Sequence, residues 1–188
     1  MEKLDQNLPV VQSLAGNRHD RINGLLREGE VQLAKGEYFA AERVYRHVLA
    51  VVPGHPMARI GLVHAQLGAG MIRSAAYTLR ALFDQHPELI ATHYNPSILP
   101  PVERIKWVRG ELEKMIRTTN RQEPALLLAY LGYQMYQPDL VRYGLDLAEA
   151  RQVDDPLITL LRGIWLEEHN PAKGQAGEQP GGDAKPGP

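Results

Sequence analysis

A nine-residue pattern that returns after 34 positions limits the possible folds of this chain more than any other feature. Residues 33–41 read LAKGEYFAA, and residues 67–75 read LGAGMIRSA. Four residue pairs share this 34-residue offset: Leu33 and Leu67, Gly36 and Gly70, Ala41 and Ala75, and Pro53 and Pro87. A fixed period of this length is typical of stacked repeats built from helix pairs. Because stacked repeats present extended surfaces, the period favours binding over catalysis.

The residues around this pattern predict two helices in each unit. Asp20 suits the N-cap of a first helix, and Gly36 suits the left-handed turn at its end. A second helix follows from about Tyr38 to Val51, and Pro56 fits the first turn of the next unit. That unit repeats the plan as far as Pro87.

Residues 88–124 interrupt the repeat. Pro96, Pro100 and Pro101 cannot lie inside a regular helix, so we expect this stretch to begin irregularly. An amphipathic helix is then predicted from about residue 102 to residue 118. Its apolar stripe has steps of three, four and three residues and consists of Ile105, Val108, Leu112 and Met115.

Residues 125–158 return to the repeat plan with different turn residues. Gln137, Pro138 and Asp139 stand where the earlier units have a glycine turn. A last helix is predicted from Leu157 to about residue 168, and Trp165 on that helix can cover the end of the core.

These features resemble the tetratricopeptide repeat (TPR) family. The matching residues occupy the family's positions for a packing glycine, a turn glycine, a small residue where the helices cross, an aromatic or apolar residue and a terminal proline. They are Gly29, Gly36, Ala41, Tyr45 and Pro53 in the first unit, Gly70, Ala75, Leu79 and Pro87 in the second, and Gly132, Gly144, Ala148 and Pro156 in the third. The chain departs from the family at Leu25, which replaces a tryptophan, and at Val63, which replaces a packing glycine. The resemblance implies an all-α fold, a right-handed α-solenoid of antiparallel helix pairs. We expect about three to four repeats, one of them degenerate over residues 90–124, and a C-terminal capping helix.

Three regions are predicted along the chain. Residues 1–19 are mixed in character, with Gly16 and Asn17 as helix breakers, and we expect a loose N-terminal arm. Residues 20–169 form the helical domain. Residues 170–188 are rich in glycine and proline and carry no apolar side chain larger than alanine, so we expect a disordered tail.

Composition and charge narrow the function classes. The chain has no cysteine, which excludes disulfides, thiolate metal ligands and cysteine nucleophiles. Its formal net charge of -1 gives no overall attraction to nucleic acid or to an anionic membrane. No apolar run approaches the ~20 residues of a membrane span, and the N-terminus lacks an apolar signal segment. We therefore expect a cytoplasmic protein with no membrane or nucleic-acid partner.

Catalytic motifs are not evident. The seven histidines include no pair at the i, i+4 spacing of a helical metal site. Gly68, Ala69 and Gly70 lack the lysine of a phosphate-binding loop, and adjacent acids such as Asp154 and Asp155 point to different faces. We predict no catalytic residue, no cofactor and no metal, and hence no enzyme.

The resemblance implies that first helices line a concave groove, which we call the first-helix groove. The residues predicted to bind a peptide or protein there are Leu26, Glu30, Leu33, Ile60, His64, Leu67, Tyr133 and Tyr136. Some members of the family bind the C-terminal carboxylate of a partner in this groove, but Leu26 and Glu30 cannot bind a carboxylate. An amphipathic or extended peptide therefore suits the groove better. For Tyr133 and Tyr136, a core role and a binding role both remain open.

The sequence predicts an adaptor or scaffold that binds a protein partner without catalysis. One alternative is a self-associating structural subunit, for example a homodimer. A helical enzyme or a nucleic-acid binder is a less favoured alternative, because neither a catalytic cluster nor a basic excess supports it.

Overall fold

The computed structural model describes residues 10–167, and their fold is all-α. The helices within these residues are α1 Arg21–Ala34, α2 Tyr38–Val51, α3 Pro56–Ala69, α4 Ile72–Gln85, α5 Val102–Thr118, α6 Glu123–Gln134, α7 Pro138–Arg151 and α8 Pro156–Glu167. Two short strands, β1 Val10–Val11 and β2 His93–Tyr94, form a parallel pair. Two 3₁₀ turns, Pro87–Leu89 and Pro96–Ile98, flank β2.

Each helix of the main succession packs on the next one. Contacts join α1 to α2, α2 to α3 and α3 to α4, and later α6 to α7 and α7 to α8. Between these groups α4 packs directly on α6, while α5 packs on α6 and α3. The irregular stretch predicted from its prolines therefore leaves the succession after α4. We call residues 87–101 the inserted segment.

Local signals placed most helix ends correctly. Asp20 is the N-cap of α1, and its carboxylate accepts a 2.8 Å hydrogen bond from the Asn23 N–H. The predicted bounds of α2 and α5 are confirmed, and α8 begins one residue before the predicted Leu157. On α5 the buried stripe ends at Ile116, whereas Met115 is only partly buried.

Three turns between paired helices share one backbone geometry. Each contains a left-handed residue: Gly36 at φ 77°, Gly70 at φ 76° and Tyr136 at φ 54°. In each turn the following N–H donates to a carbonyl oxygen five residues earlier, with N···O distances of 2.9, 2.8 and 2.8 Å for Glu37 to Gln32, Met71 to Gln66 and Gln137 to Gly132. The repeat thus extends to backbone hydrogen bonding.

The third turn differs from its sequence prediction. Its left-handed position is Tyr136, and Pro138 already begins α7. A side chain in this conformation costs roughly 1 kcal/mol because Cβ crowds the following carbonyl. No residue pattern marks a tyrosine for such a position. The turn spans residues 135–137, two residues earlier than the predicted 137–139.

One close helix packing contact centres on the Tyr45 ring. This fully buried ring lies between Gly29 of α1 and Gly61 of α3. A Cβ atom added at Gly29 would come within 2.5 Å of the ring, and one added at Gly61 within 2.4 Å. Val63 stands at the expected packing-glycine position, but Gly61 provides the close approach instead.

The N-terminal arm is not loose throughout its length. Val10 and Val11 pair in parallel register with His93 and Tyr94, and the Leu14 side chain is 1% exposed. Residues 10–14 therefore dock on the helical body, because Leu14 finds an apolar site there. Residues 1–9 of the predicted arm and the predicted tail of residues 170–188 lie outside the described residues. Among residues 10–167, no helix is both long and apolar enough to span a membrane.

We expect Gly61→Ala to lower the free energy of unfolding by roughly 1–3 kcal/mol, because the buried Tyr45 ring cannot move away from a new Cβ. Gly110 on α5 is the matched control, since no heavy atom lies within 4 Å of a Cβ built there. Gly110→Ala should raise stability by up to about 1 kcal/mol through helix propensity. Urea denaturation followed by circular dichroism measures both. Equal effects of the two substitutions would contradict the packing described for Tyr45.

Candidate functional site

The first-helix groove predicted from the sequence is closed in this structure. Six of its eight residues are buried: Leu26, Leu33, Ile60, His64, Leu67 and Tyr133. Glu30 is partly buried, and Tyr136 is 40% exposed. Substitutions at Leu26 or Tyr133 would therefore perturb packed positions and not only a free surface.

The inserted segment covers much of this groove, and helix side chains hold its main chain. The Gln134 side chain on α6 donates from Nε2 to the Thr92 carbonyl at 3.1 Å and accepts at Oε1 from the Tyr94 N–H at 3.0 Å. Trp165 on α8 donates from Nε1 to the Ile90 carbonyl at 2.8 Å. Such side-chain contacts to an extended backbone resemble those used to bind peptides.

His64 on α3 is the third side chain that holds the inserted segment. Its Nδ1 lies 2.6 Å from the Ile98 carbonyl oxygen, and its Nε2 lies 2.8 Å from the Tyr130 hydroxyl. A carbonyl only accepts, so Nδ1 carries the proton and donates, while Nε2 accepts from Tyr130. Burial lowers the pKa of His64 to about 4, against a smaller opposing effect of the hydrogen bond to Ile98. His64 is therefore neutral at pH 7.

The docked arm covers another part of the groove through Glu30. The carboxylate accepts hydrogen bonds from the Ser13 hydroxyl, at 2.9 Å, and from the Leu14 N–H. Glu30 was predicted as a polar contact for a partner peptide, and in this structure it bonds to the chain's own arm.

Stacked rings lie at the α6 end of the groove. The His93 ring lies 4.2 Å from the Tyr133 ring and 4.2 Å from the Tyr136 ring, centroid to centroid. The buried Tyr133 ring also stacks on Trp165 at 4.9 Å. Trp165, expected at the end of the core, is itself fully buried between these rings and Phe83.

A second concave surface, on other parts of the helices, remains open. It is a cleft of about 1350 Å³ between α2, α3, α4, the start of α6 and the end of α7. We call it the arginine cleft, because its lining includes Arg46, Arg59, Arg73, Arg80, Arg121 and Arg151. The acidic residue in its lining is Glu123.

Three of these arginines have carboxylate partners within the fold. Arg46 pairs with Glu42 at 2.8 Å, Arg80 with Asp155 at 2.7 Å, and Arg121 with Glu123 at 3.9 Å. At Asp155, burial opposes ionisation, but hydrogen bonds from Arg80 and Gln122 outweigh it and hold the pKa of this carboxyl below its usual value. The Arg80 and Asp155 pair therefore serves to join α4 to the start of α8.

The other three arginines have no carboxylate partner among residues 10–167. Arg59 donates to the Ala81 carbonyl at 3.1 Å, and Arg151 donates to the Leu147 and Ile116 carbonyls at 2.9 and 2.8 Å. Arg73 is exposed, with no hydrogen bond or ion pair to another described residue. The cleft consequently holds positive charge that the fold does not neutralise.

An exposed aromatic ring stands beside this charge. Tyr77 lines the cleft, and its side chain is 78% exposed. It follows Arg73 by four positions on α4, so the two side chains lie on one helix face. This surface is not predicted from the sequence, because its arginines are scattered from position 46 to position 151. The spacing of Arg73, Tyr77 and Arg80 was the available local signal.

The comparisons with known proteins assign no family to this chain. No protein-family model, no curated protein and no solved structure matches this chain. Within residues 10–167, no three His, Asp or Glu side chains are grouped in a way that would hold a metal ion.

The low pKa of His64 predicts acid sensitivity. The folded protein does not bind a proton at His64 until pH falls to about 4, whereas the unfolded chain binds one near pH 6.5. The contribution of neutral, buried His64 to the free energy of unfolding is fully present above pH 6.5 and is lost as pH falls towards 4. We expect the free energy of unfolding to drop by about 2 kcal/mol from pH 7 to pH 5 through His64 alone.

Urea denaturation at both pH values measures this drop. His64→Gln should reduce it, while His47→Gln, at an exposed position on α2, should not. An NMR titration of the unsubstituted protein that gave His64 a pKa near 6.5 would refute the explanation.

Proposed function

We propose that this protein is a non-catalytic interaction module, an adaptor or scaffold that binds a segment of a partner protein in the arginine cleft. The observation that carries the proposal is the contrast between two concave surfaces. The first-helix groove is filled by the chain itself, whereas the arginine cleft is open and holds unpaired arginines beside an exposed tyrosine.

The proposed architecture is a right-handed α-solenoid of TPR-like pairs. The pairs are α1 with α2, α3 with α4, and α6 with α7, and α8 serves as the cap. The shared turn geometry supports this assignment, as do the close glycine contacts around Tyr45. In this scheme α5 and the inserted segment are an insertion between the second and third pairs. Contact between α1 and α3 supports stacking of the first helices.

Because the chain itself occupies the first-helix groove, a partner peptide would have to displace the inserted segment in order to bind there. A tethered segment competes at an effective concentration on the order of millimolar, without loss of translational freedom. Ile90, Tyr94 and Ile98 of the inserted segment are also buried, so displacement would expose apolar surface. A partner peptide therefore meets less competition in the arginine cleft.

The chemistry of the arginine cleft suits a protein partner. Arginine and tyrosine are enriched among the residues that dominate binding energy at protein interfaces. Arg73 and Tyr77 supply these two side chains on one face of α4. The cleft volume of about 1350 Å³ exceeds that of a pocket for one small molecule.

Photo-cross-linking tests the proposal. A photoreactive phenylalanine analogue at position 77, in the full chain and in its native cells, should form reproducible adducts with one or a few proteins. The same analogue at Tyr143, which is 50% exposed on α7 outside the cleft, is the matched control and should not give these adducts. Identical adducts at both positions, or adducts at position 77 with nucleic acid alone, would refute the proposed function.

A further inference from the structure

We propose that the arginine cleft recognises an acidic segment of the partner protein, with Arg73 and Tyr77 as its accessible contacts. This inference rests on the proposed function and adds the chemical class of the partner. Six arginines and one glutamate line the cleft, although the whole chain has a formal net charge of -1. Positive charge is therefore concentrated at this surface and balanced elsewhere on the molecule.

The unpaired arginines define where new carboxylates would bind. Arg59, Arg73 and Arg151 come from α3, α4 and the end of α7, and none has a carboxylate partner among the described residues. Two of them are held in place by carbonyl oxygens, so little side-chain entropy remains to be lost on binding. Arg73 is exposed and keeps its whole donor set for an incoming group.

The fold already contains an example of carboxylate binding beside this surface. The Asp155 carboxylate accepts hydrogen bonds from Arg80 at 2.7 Å and from the Gln122 amide at 3.0 Å, and both donors line the cleft. The donors of the cleft are thus compatible with carboxylate geometry. A guanidinium group also prefers carboxylates in paired hydrogen bonds, which a compact ammonium group does not form.

The charge pattern favours an acidic peptide over nucleic acid. Glu42 and Glu123 lie beside Arg46 and Arg121, so carboxylates interrupt the positive surface at two places. A phosphodiester chain carries one charge per nucleotide and would meet repulsion there. A peptide can place neutral residues opposite these carboxylates. Its apolar or aromatic residues can also pack on the exposed Tyr77 ring.

Fluorescence anisotropy with the full chain tests the inference. The probes are a labelled 12-residue peptide of alternating Glu and Ser, its Gln and Ser counterpart, and a 12-nucleotide single-stranded RNA. At low salt the acidic peptide should bind, the neutral peptide should bind at least tenfold more weakly, and added salt should weaken the binding. The RNA should bind no better than the neutral peptide.

Charge-reversal variants locate the binding. Arg73→Glu should weaken binding of the acidic peptide at least tenfold, and Tyr77→Ala should weaken it severalfold. Arg43→Glu makes the same charge change at an exposed position on α2 outside the cleft, so it should change affinity less than twofold. Arg73→Gln keeps a neutral polar side chain and should give an intermediate loss, even if the charge reversal disturbs folding.

The outcomes separate the two proposals. If Tyr77 cross-links to a protein but the acidic peptide does not bind, the assignment of an acidic partner is wrong and the proposed function stands. If Arg43→Glu weakens binding as much as Arg73→Glu, the attraction is nonspecific and the inference falls. RNA binding that is tighter than peptide binding and is lost in Arg73→Glu would overturn both proposals.

Discussion

The rest of the structure depends on satisfying the buried main chain of the inserted segment. This segment crosses the first-helix groove with only the two-residue strand β2 and two 3₁₀ turns as regular structure. Its other carbonyl and N–H groups therefore need partners that a helix would otherwise supply. Gln134, His64 and Trp165 supply them from α6, α3 and α8. One set of hydrogen bonds thus joins the middle of the chain to its last helix. The neutral state of His64 is part of this arrangement, because a second ring proton would replace the acceptor that the Tyr130 hydroxyl uses.

The first-helix groove and the arginine cleft differ in what their side chains contact. The groove that a repeat of this kind offers is filled with apolar side chains and stacked rings, and Glu30 bonds to the arm. At the arginine cleft, Arg80 and Arg151 bind groups of the fold, while Arg73 and Tyr77 are exposed to solvent. Filling the groove adds apolar side chains to the core. Leaving the other polar and open keeps a charged surface available without an exposed apolar patch.

Much of the fold could be predicted because the signals for helix ends are local. Asp20, Gly36 and Pro56 act on their own helix turns, and the predicted ends of α1 and the predicted start of α3 followed from these residues. The candidate site could not be predicted in the same way. Pairing of Val10 with His93 joins positions 83 residues apart, and no local pattern encodes it. The arginine cleft likewise combines side chains from distant helices. Neither the net charge of the chain nor the sequence of any single helix therefore indicates the positive charge of the cleft.

The parallel pairing of β1 with β2 has a consequence for how the chain folds. In an uninterrupted stack each unit contacts only its neighbours, and structure can form and spread from any unit. Here β1 cannot pair until the inserted segment, more than 80 residues later, lies across α1 and α3, whereas Ser13 and Leu14 contact Glu30 of α1 directly. Closing so long a loop is entropically costly and slows the formation of distant contacts. The β1 pairing therefore forms only after the inserted segment is in place, and it couples the beginning of the chain to its middle.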